Sequence, residues 1–85
     1  MRSLLPQQCR AARGMLDWTQ EQLATLAGVS RSTVRDFEGC RRELHQTTEA
    51  LLIKAFESAG VRLVFDRREP GVRLRTHGLE SHRSG

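Results

Sequence analysis

The sequence has little cysteine, almost no lysine and no long apolar run. Its two cysteines, Cys9 and Cys40, are too few and too irregularly spaced for a disulfide framework or a zinc ribbon, and His45 adds no paired metal-ligand spacing. No apolar stretch approaches the roughly 18 residues of a membrane span, and the amino terminus lacks a secretory pattern. We therefore expect a reduced, cytoplasmic protein with no metal, cofactor or membrane contact.

Patterns typical of catalysis are also missing. The sequence shows no nucleophile and base pairing, no paired carboxylates in a glycine-rich setting and no phosphate-cradling loop. We therefore expect that the protein is not an enzyme.

The chain is short and its charge is unevenly distributed. Eighty-five residues make one small domain, whose core is marginal for a monomer, so help from a partner subunit is expected. The formal net charge is +4, and the basic residues are arginines except for Lys54. Residues 1–60 carry 8 basic against 7 acidic side chains, whereas residues 61–85 carry 6 against 3. Because the excess is local, bulk charge alone is a weak argument for a nucleic-acid partner.

Residues 20–39 hold two short helical patterns joined by a tight corner. Thr19 is placed to cap the first helix, with Gln22 in capping-box spacing, and Ser30 is placed to cap the second. Gly28 falls where the first helix must end, in a left-handed conformation that glycine adopts without strain. Two helices joined by a short turn that contains glycine predict a helix-turn-helix.

The outer face of the second helix in this stretch is polar. It carries four hydrogen-bonding residues: Arg31, Ser32, Arg35 and Asp36. A helix that presents such groups from its first turn is suited to reading base edges in a major groove, whereas an ordinary helical hairpin has no need of them. Asp36 either accepts a hydrogen bond from a cytosine amine or orients Arg35.

Helical spacing continues on both sides of this stretch. Pro6 sets the first turn of an opening helix, and Trp18 is expected as a core aromatic beneath the start of the next helix. Thr47 or Thr48 is expected to cap a fourth helix, which carries a broad apolar stripe and ends at Gly60. Residues 1–60 are thus expected to form one helical domain.

After residue 60 the apolar pattern changes from helical to alternating. Two alternating segments within residues 61–75 flank a Pro-Gly turn, which predicts a β-hairpin. An open strand edge readily adds a strand from another chain, so we expect this hairpin to pair with a second copy or with a partner protein. The residues expected at that interface are Val61, Leu63, Phe65, Val72 and Leu74. The alternative is that the hairpin folds back on its own helices. Residues 76–85 lack periodicity and are expected to be a disordered tail.

Residues 13–39 carry the pattern R-G-x-L-x-W-T-Q-x-Q-L-A-x-x-A-G-V-S-x-S-T-V-x-x-F-E-G. This pattern resembles the lambda-repressor-like helix-turn-helix of Cro/repressor and Xre-type bacterial and phage regulators. The resemblance implies a mainly α fold, namely a four-helix DNA-binding domain with its motif at residues 20–39, followed by the short hairpin.

The resemblance also implies roles for particular side chains. Arg13 and Glu38 match an arginine and a glutamate that form a structural ion pair in that family. The positions implied to contact bases are Arg31, Ser32 and Arg35. Those implied to contact phosphates are Gln20, Thr33, Arg41 and Arg42.

Together these observations predict a transcriptional regulator that binds double-stranded DNA sequence-specifically, as a homodimer joined through the hairpin. The alternative is an antitoxin-like or phage-accessory adaptor, whose hairpin binds a protein partner.

Overall fold

Four helices precede a two-stranded sheet in the computed structural model, which describes residues 3–65 and 71–74. The elements are α1 (Pro6–Leu16), α2 (Gln20–Ala27), α3 (Arg31–Glu38), α4 (Gln46–Ser58), β1 (Val61–Val64) and β2 (Gly71–Leu74). This order confirms the predicted mainly α class. The predicted turn between the strands and the predicted tail lie outside the described residues.

The caps of α2 and α3 confirm the sequence prediction. The Thr19 hydroxyl accepts from the backbone N–H of Gln22 at 3.0 Å, and the Gln22 side chain accepts from the backbone N–H of Thr19 at 2.8 Å. The Ser30 hydroxyl accepts from the backbone N–H of Thr33 at 3.1 Å. Gly28 ends α2 in the left-handed region, at φ 75°. Local residue choice therefore fixes both ends of the corner between α2 and α3.

The start of α4 differs from the prediction. The helix begins at Gln46 after His45, whose side chain makes no capping hydrogen bond, so the expected cap at Thr47 or Thr48 is wrong. A contact from a distant part of the chain anchors this end, because Glu49 Oε2 accepts from the backbone N–H of Leu4 at 2.8 Å. Sequence spacing along α4 contains no sign of such a contact.

The core lies between the four helices and the inner face of β1. Its fully buried large side chains include Leu23 of α2, Val34 of α3, and Leu52 and Phe56 of α4. Trp18 is half-buried and stacks on Phe56, with ring centroids 6.0 Å apart. This contact places Trp18 as the core aromatic that the sequence predicted.

The hairpin packs on the helices of its own chain. β1 and β2 pair antiparallel, with Val61 opposite Leu74 and Leu63 opposite Val72. Both Val61 and Leu63 are buried in the core, at 0% and 4% exposure. The expectation that these two side chains meet a partner is therefore wrong. Alternation identifies which face of a strand is apolar but not what covers that face.

A buried amide links α1 to both strands. Gln8 Nε2 donates to the carbonyl oxygens of Val64 at 2.6 Å and Gly71 at 2.9 Å. Its Oε1 accepts from the backbone N–H of Leu5 at 3.0 Å, so the same side chain also caps the start of α1. The hairpin is thus held by hydrogen bonds as well as by apolar burial.

A single carboxylate joins α1, α2 and α3. Arg13 Nε and Nη2 donate to the two oxygens of Glu38, each at 2.8 Å. Gln20 Nε2 donates to Glu38 Oε1 at 3.0 Å, and the Cys9 thiol donates to Oε2 at 3.1 Å. The Glu38 side chain is only 3% exposed. We call these four side chains the Glu38 cluster.

The cluster shifts the pKa values of its members. Burial alone raises the pKa of Glu38, but the hydrogen bonds from Arg13, Gln20 and Cys9 outweigh burial and hold that pKa below its ordinary value. The hydrogen bond with Glu38 raises the pKa of Arg13 in turn. Burial, followed by the hydrogen bond to Glu38, raises the pKa of Cys9, so its sulfur keeps the proton that it donates.

Cys9 is buried and Cys40 is exposed, and both are free. Within residues 3–65 and 71–74, no group of three His, Cys, Asp or Glu side chains could hold a metal ion. In the same ranges, the helices are too short or too polar to cross a membrane.

Replacing Gly28 and Gly14 by alanine should change stability in opposite directions. A Cβ at either residue meets no atom within 4 Å, so only backbone conformation differs between the two sites. Gly28→Ala should destabilise by about 1–2 kcal/mol because of its positive φ. Gly14→Ala, inside α1, should stabilise by roughly 0.5–1 kcal/mol. Urea unfolding of both variants measures the difference, and equal shifts would contradict the left-handed corner.

Glu38→Gln should lower stability and weaken its dependence on pH. The folded pKa of Glu38 lies below its ordinary value of about 4.3, so its stabilisation is present above that pH. It is then lost as pH falls through the folded pKa. We expect Glu38→Gln to cost roughly 3 kcal/mol at neutral pH, and the cost should shrink in acid.

Unfolding curves at neutral and acidic pH measure this cost, with Glu43→Gln as the control in an exposed loop. That control should change stability by less than about 0.5 kcal/mol. A cost for Glu38→Gln that is the same at both pH values would show that the carboxylate charge does not stabilise the cluster.

Candidate nucleic-acid interface

The outward face of α3 presents the three side chains that the sequence predicted for base contact. Arg31, Ser32 and Arg35 are all exposed, and the Arg35 side chain reaches 54%. On the opposite face of the helix, Val34 and Phe37 are buried in the core. The helix is therefore anchored along one side and open along the other.

Asp36 contacts the neighbouring arginine. Arg35 Nε donates to Asp36 Oδ1 at 3.2 Å, while the Asp36 side chain is 28% exposed. Adjacent helical residues do not normally face each other, so this contact draws the guanidinium sideways along the helix surface. With Nε engaged, Arg35 keeps its two terminal nitrogens for another partner. The contact is the one expected if Asp36 orients Arg35.

Three hydroxyls and one arginine gather at the start of α3. The Ser30 hydroxyl shares hydrogen bonds with the hydroxyls of Thr33 at 2.7 Å and Ser32 at 3.2 Å. Arg42 Nη1, from the loop after α3, donates to Thr33 Oγ1 at 2.9 Å. The loop thus brings two predicted phosphate contacts, Thr33 and Arg42, together at this end of α3.

The turn after α3 has a left-handed residue that the sequence did not predict. Gly39 has φ −85°, whereas Cys40 has φ 61°. The backbone N–H of Cys40 donates to Phe37 O at 3.0 Å and that of Arg41 donates to Asp36 O at 2.8 Å, the two bonds of a Schellman motif. This turn directs the chain back along α3, which places Arg42 beside Thr33.

Gln20 lies at the start of α2, as predicted, but its amide has a partner within the chain. Its Nε2 donates to Glu38, and the residue is half-buried. An amide nitrogen carries two hydrogens, so one donor remains for a phosphate. The sequence resemblance missed the contact of Gln20 with Glu38, which makes Gln20 a member of the Glu38 cluster as well.

Arg10 is a further residue that the sequence did not single out. Its Nη1 donates to the backbone carbonyl of Glu38, one of the last carbonyls of α3. The only sequence signal is that Arg10 and Arg13 are three residues apart and so lie on the same face of α1. Two arginines of α1 therefore hold the end of α3: Arg10 contacts the backbone of Glu38, and Arg13 contacts the Glu38 side chain.

Comparisons with known proteins agree with this geometry. A family model described as helix-turn-helix matches residues 10–48. The restriction-modification controller protein C.AhdI from Aeromonas hydrophila is similar to this chain, with 31% sequence identity. Its crystal structure matches the structure of this chain with a TM-score of 0.59. The match covers 61% of this chain and 79% of that one. Comparison with curated proteins gives no match.

Four observations support one assignment: the fold, the ion pair between Arg13 and Glu38, the family model and the similar crystal structure. The chain belongs to the Xre-type, lambda-repressor-like helix-turn-helix family of DNA-binding transcription regulators.

Proposed function

We propose that this regulator, bacterial or phage in origin, recognises specific sites in double-stranded DNA by inserting α3 into the major groove. The observation that carries the proposal is the two-sided character of α3. Arg31, Ser32 and Arg35 are exposed on one face, while the Glu38 cluster and the core hold the other. A rigid helix with free donors on its outer face suits major-groove recognition. Regulation then follows from occupancy of the site.

Arg31 and Arg35 are the proposed base readers. They are four residues apart, which is about one turn of α3, so both guanidinium groups face the same groove. An arginine that donates two hydrogen bonds to guanine contributes roughly 1–3 kcal/mol of discrimination. Ser32 lies between them in sequence, and its hydroxyl can donate to or accept from a base edge.

The proposed phosphate contacts surround α3. Arg41 and Arg42 lie on the loop after the helix, and both are exposed. Gln20 offers its remaining amide hydrogen at the start of α2, where the helix dipole also favours an anion. Such contacts set the position of the protein on the duplex without reading sequence.

Assembly through the hairpin, residues 61–75, is the second part of the proposal. The described part of the sheet has two strands, so each strand has one edge that faces away from its neighbour. A two-fold dimer that pairs such edges would hold two α3 helices about 34 Å apart, one turn of DNA. Because Val61 and Leu63 are buried, backbone edges rather than these side chains form the proposed contact.

The adaptor alternative has less support. Of the side chains expected to meet a partner, Val61 and Leu63 serve the core of this chain instead. An adaptor also has no use for exposed arginines on α3. We therefore propose no second function.

Arg35→Ala and Arg42→Ala should weaken DNA binding in different ways. Loss of Arg35 should relax preference at one base position by roughly 1–3 kcal/mol. Loss of Arg42 should weaken binding to all DNA sequences alike, and it should flatten the salt dependence of binding by about one phosphate contact. Selection from a random duplex library, followed by titration at several salt concentrations, measures both effects. Equal, sequence-independent losses would contradict base reading by Arg35.

The 85-residue chain should associate through its strand edges. We expect sedimentation to show a dimer, and amide hydrogen exchange in residues 61–64 or 71–74 to slow as the dimer forms. The slowing is expected because edge pairing gives these N–H groups new acceptors. Truncation after Gly60 is unsuitable, since it removes core residues Val61 and Leu63. Protection that rises only elsewhere on dimerisation would place the interface away from the hairpin.

A further inference from the structure

We propose that Thr33 positions Arg42 for a phosphate, so that the two side chains form one clamp. The inference rests on the proposed function, because it concerns how a DNA contact is prepared. Arg42 Nη1 donates to Thr33 Oγ1 at 2.9 Å, across nine residues and from an exposed loop onto α3. An exposed arginine on a loop is therefore tied to the recognition helix in the DNA-free protein.

Thr33 offers Arg42 a fixed acceptor. Its hydroxyl is held at 2.7 Å from the Ser30 hydroxyl, and Ser30 also accepts from the backbone N–H of Thr33. A hydroxyl has one hydrogen and two lone pairs, so Thr33 can accept from Arg42 while bonding to Ser30. Because threonine is branched at Cβ, its side chain also has few alternative rotamers. Arg42 is thus attached to a rigid part of the molecule.

The attachment leaves Arg42 able to bind an anion. A guanidinium has five N–H donors, and the bond to Thr33 uses one of them. Ordering a long side chain costs conformational entropy. If Arg42 were disordered in the free protein, this cost would weaken DNA binding. An arginine that is already ordered beside α3 binds a phosphate with a smaller loss.

Arg41 provides a matched control. It is also exposed and directly precedes Arg42, but its backbone N–H, not its side chain, is bonded to the protein, at 2.8 Å from Asp36 O. Its proposed phosphate contact does not depend on Thr33. The two neighbouring arginines therefore separate the effect of positioning from the effect of charge.

Thr33 could instead bind a phosphate directly, as the sequence resemblance implies. A direct contact and a positioning role differ in how the effects of two substitutions combine. If Thr33 acts through Arg42, removing its hydroxyl matters only while Arg42 is present. If Thr33 binds DNA independently, the losses multiply.

The test is a double-mutant cycle on the full chain. Thr33→Val, Arg42→Ala and the double variant are titrated against one duplex, chosen by selection with the unmodified protein, at several salt concentrations. Arg42→Ala should weaken binding by about tenfold and flatten the salt dependence by roughly one phosphate. Thr33→Val should weaken binding by roughly threefold to tenfold and largely keep the salt dependence, because Arg42 loses its fixed acceptor but retains its charge. The double variant should be no weaker than Arg42→Ala alone. Thr33→Ser keeps the hydroxyl and should bind like the unmodified protein.

The same titrations include a control with Arg41, the neighbouring arginine. Thr33→Val and Arg41→Ala should give multiplied losses, since Arg41 is not attached to Thr33. Multiplied losses for Thr33→Val with Arg42→Ala would overturn the positioning role, as would unchanged binding by Thr33→Val. Urea unfolding checks that each variant folds, and Thr33→Ala serves as a second hydroxyl-free variant. Failure of the unmodified chain to select any duplex would instead contradict the proposed function.

Discussion

The ion pair between the buried carboxylate of Glu38 and Arg13 is the interaction on which the rest of the structure depends. Glu38 is the last residue of α3, and its carboxylate accepts hydrogen bonds from Arg13 of α1, Gln20 of α2 and the Cys9 thiol. A buried charge is costly unless opposite charge and hydrogen bonds surround it. Glu38 has both, so α3 has a fixed position relative to α1 and α2. The ion pair therefore sets the direction in which the outer face of α3 points.

The opposite end of α3 is controlled by hydroxyls rather than by buried charge. Ser30 caps the helix, and Thr33 ties it to Arg42 on the following loop. A buried ionic anchor at one end and an exposed polar anchor at the other hold the helix between them. Arg31 and Arg35, the proposed base readers, lie between these anchors. This arrangement keeps the proposed reading face in place before any duplex is bound.

Sequence predicted the features that depend on near neighbours. The caps at Thr19 and Ser30 and the left-handed glycine at residue 28 follow from spacing within a few residues. Apart from the left-handed Cys40 in the turn after α3, the errors involve distant parts of the chain. The start of α4 is anchored by a contact with Leu4, and Val61 is buried by helices that its strand pattern cannot identify. The contact of Gln20 with Glu38 was missed for the same reason, because the two residues meet only once α2 and α3 pack together.

We propose that α3 reads base edges in the major groove. Dimethyl sulfate footprinting on a selected duplex tests it most directly, because this reagent methylates guanine at N7 in the major groove and adenine at N3 in the minor groove. Protected guanine N7 positions, in two groups separated by about one turn of DNA, are the result that the account predicts. Unprotected guanine N7 throughout the bound site, with protection confined to adenine N3, would contradict it.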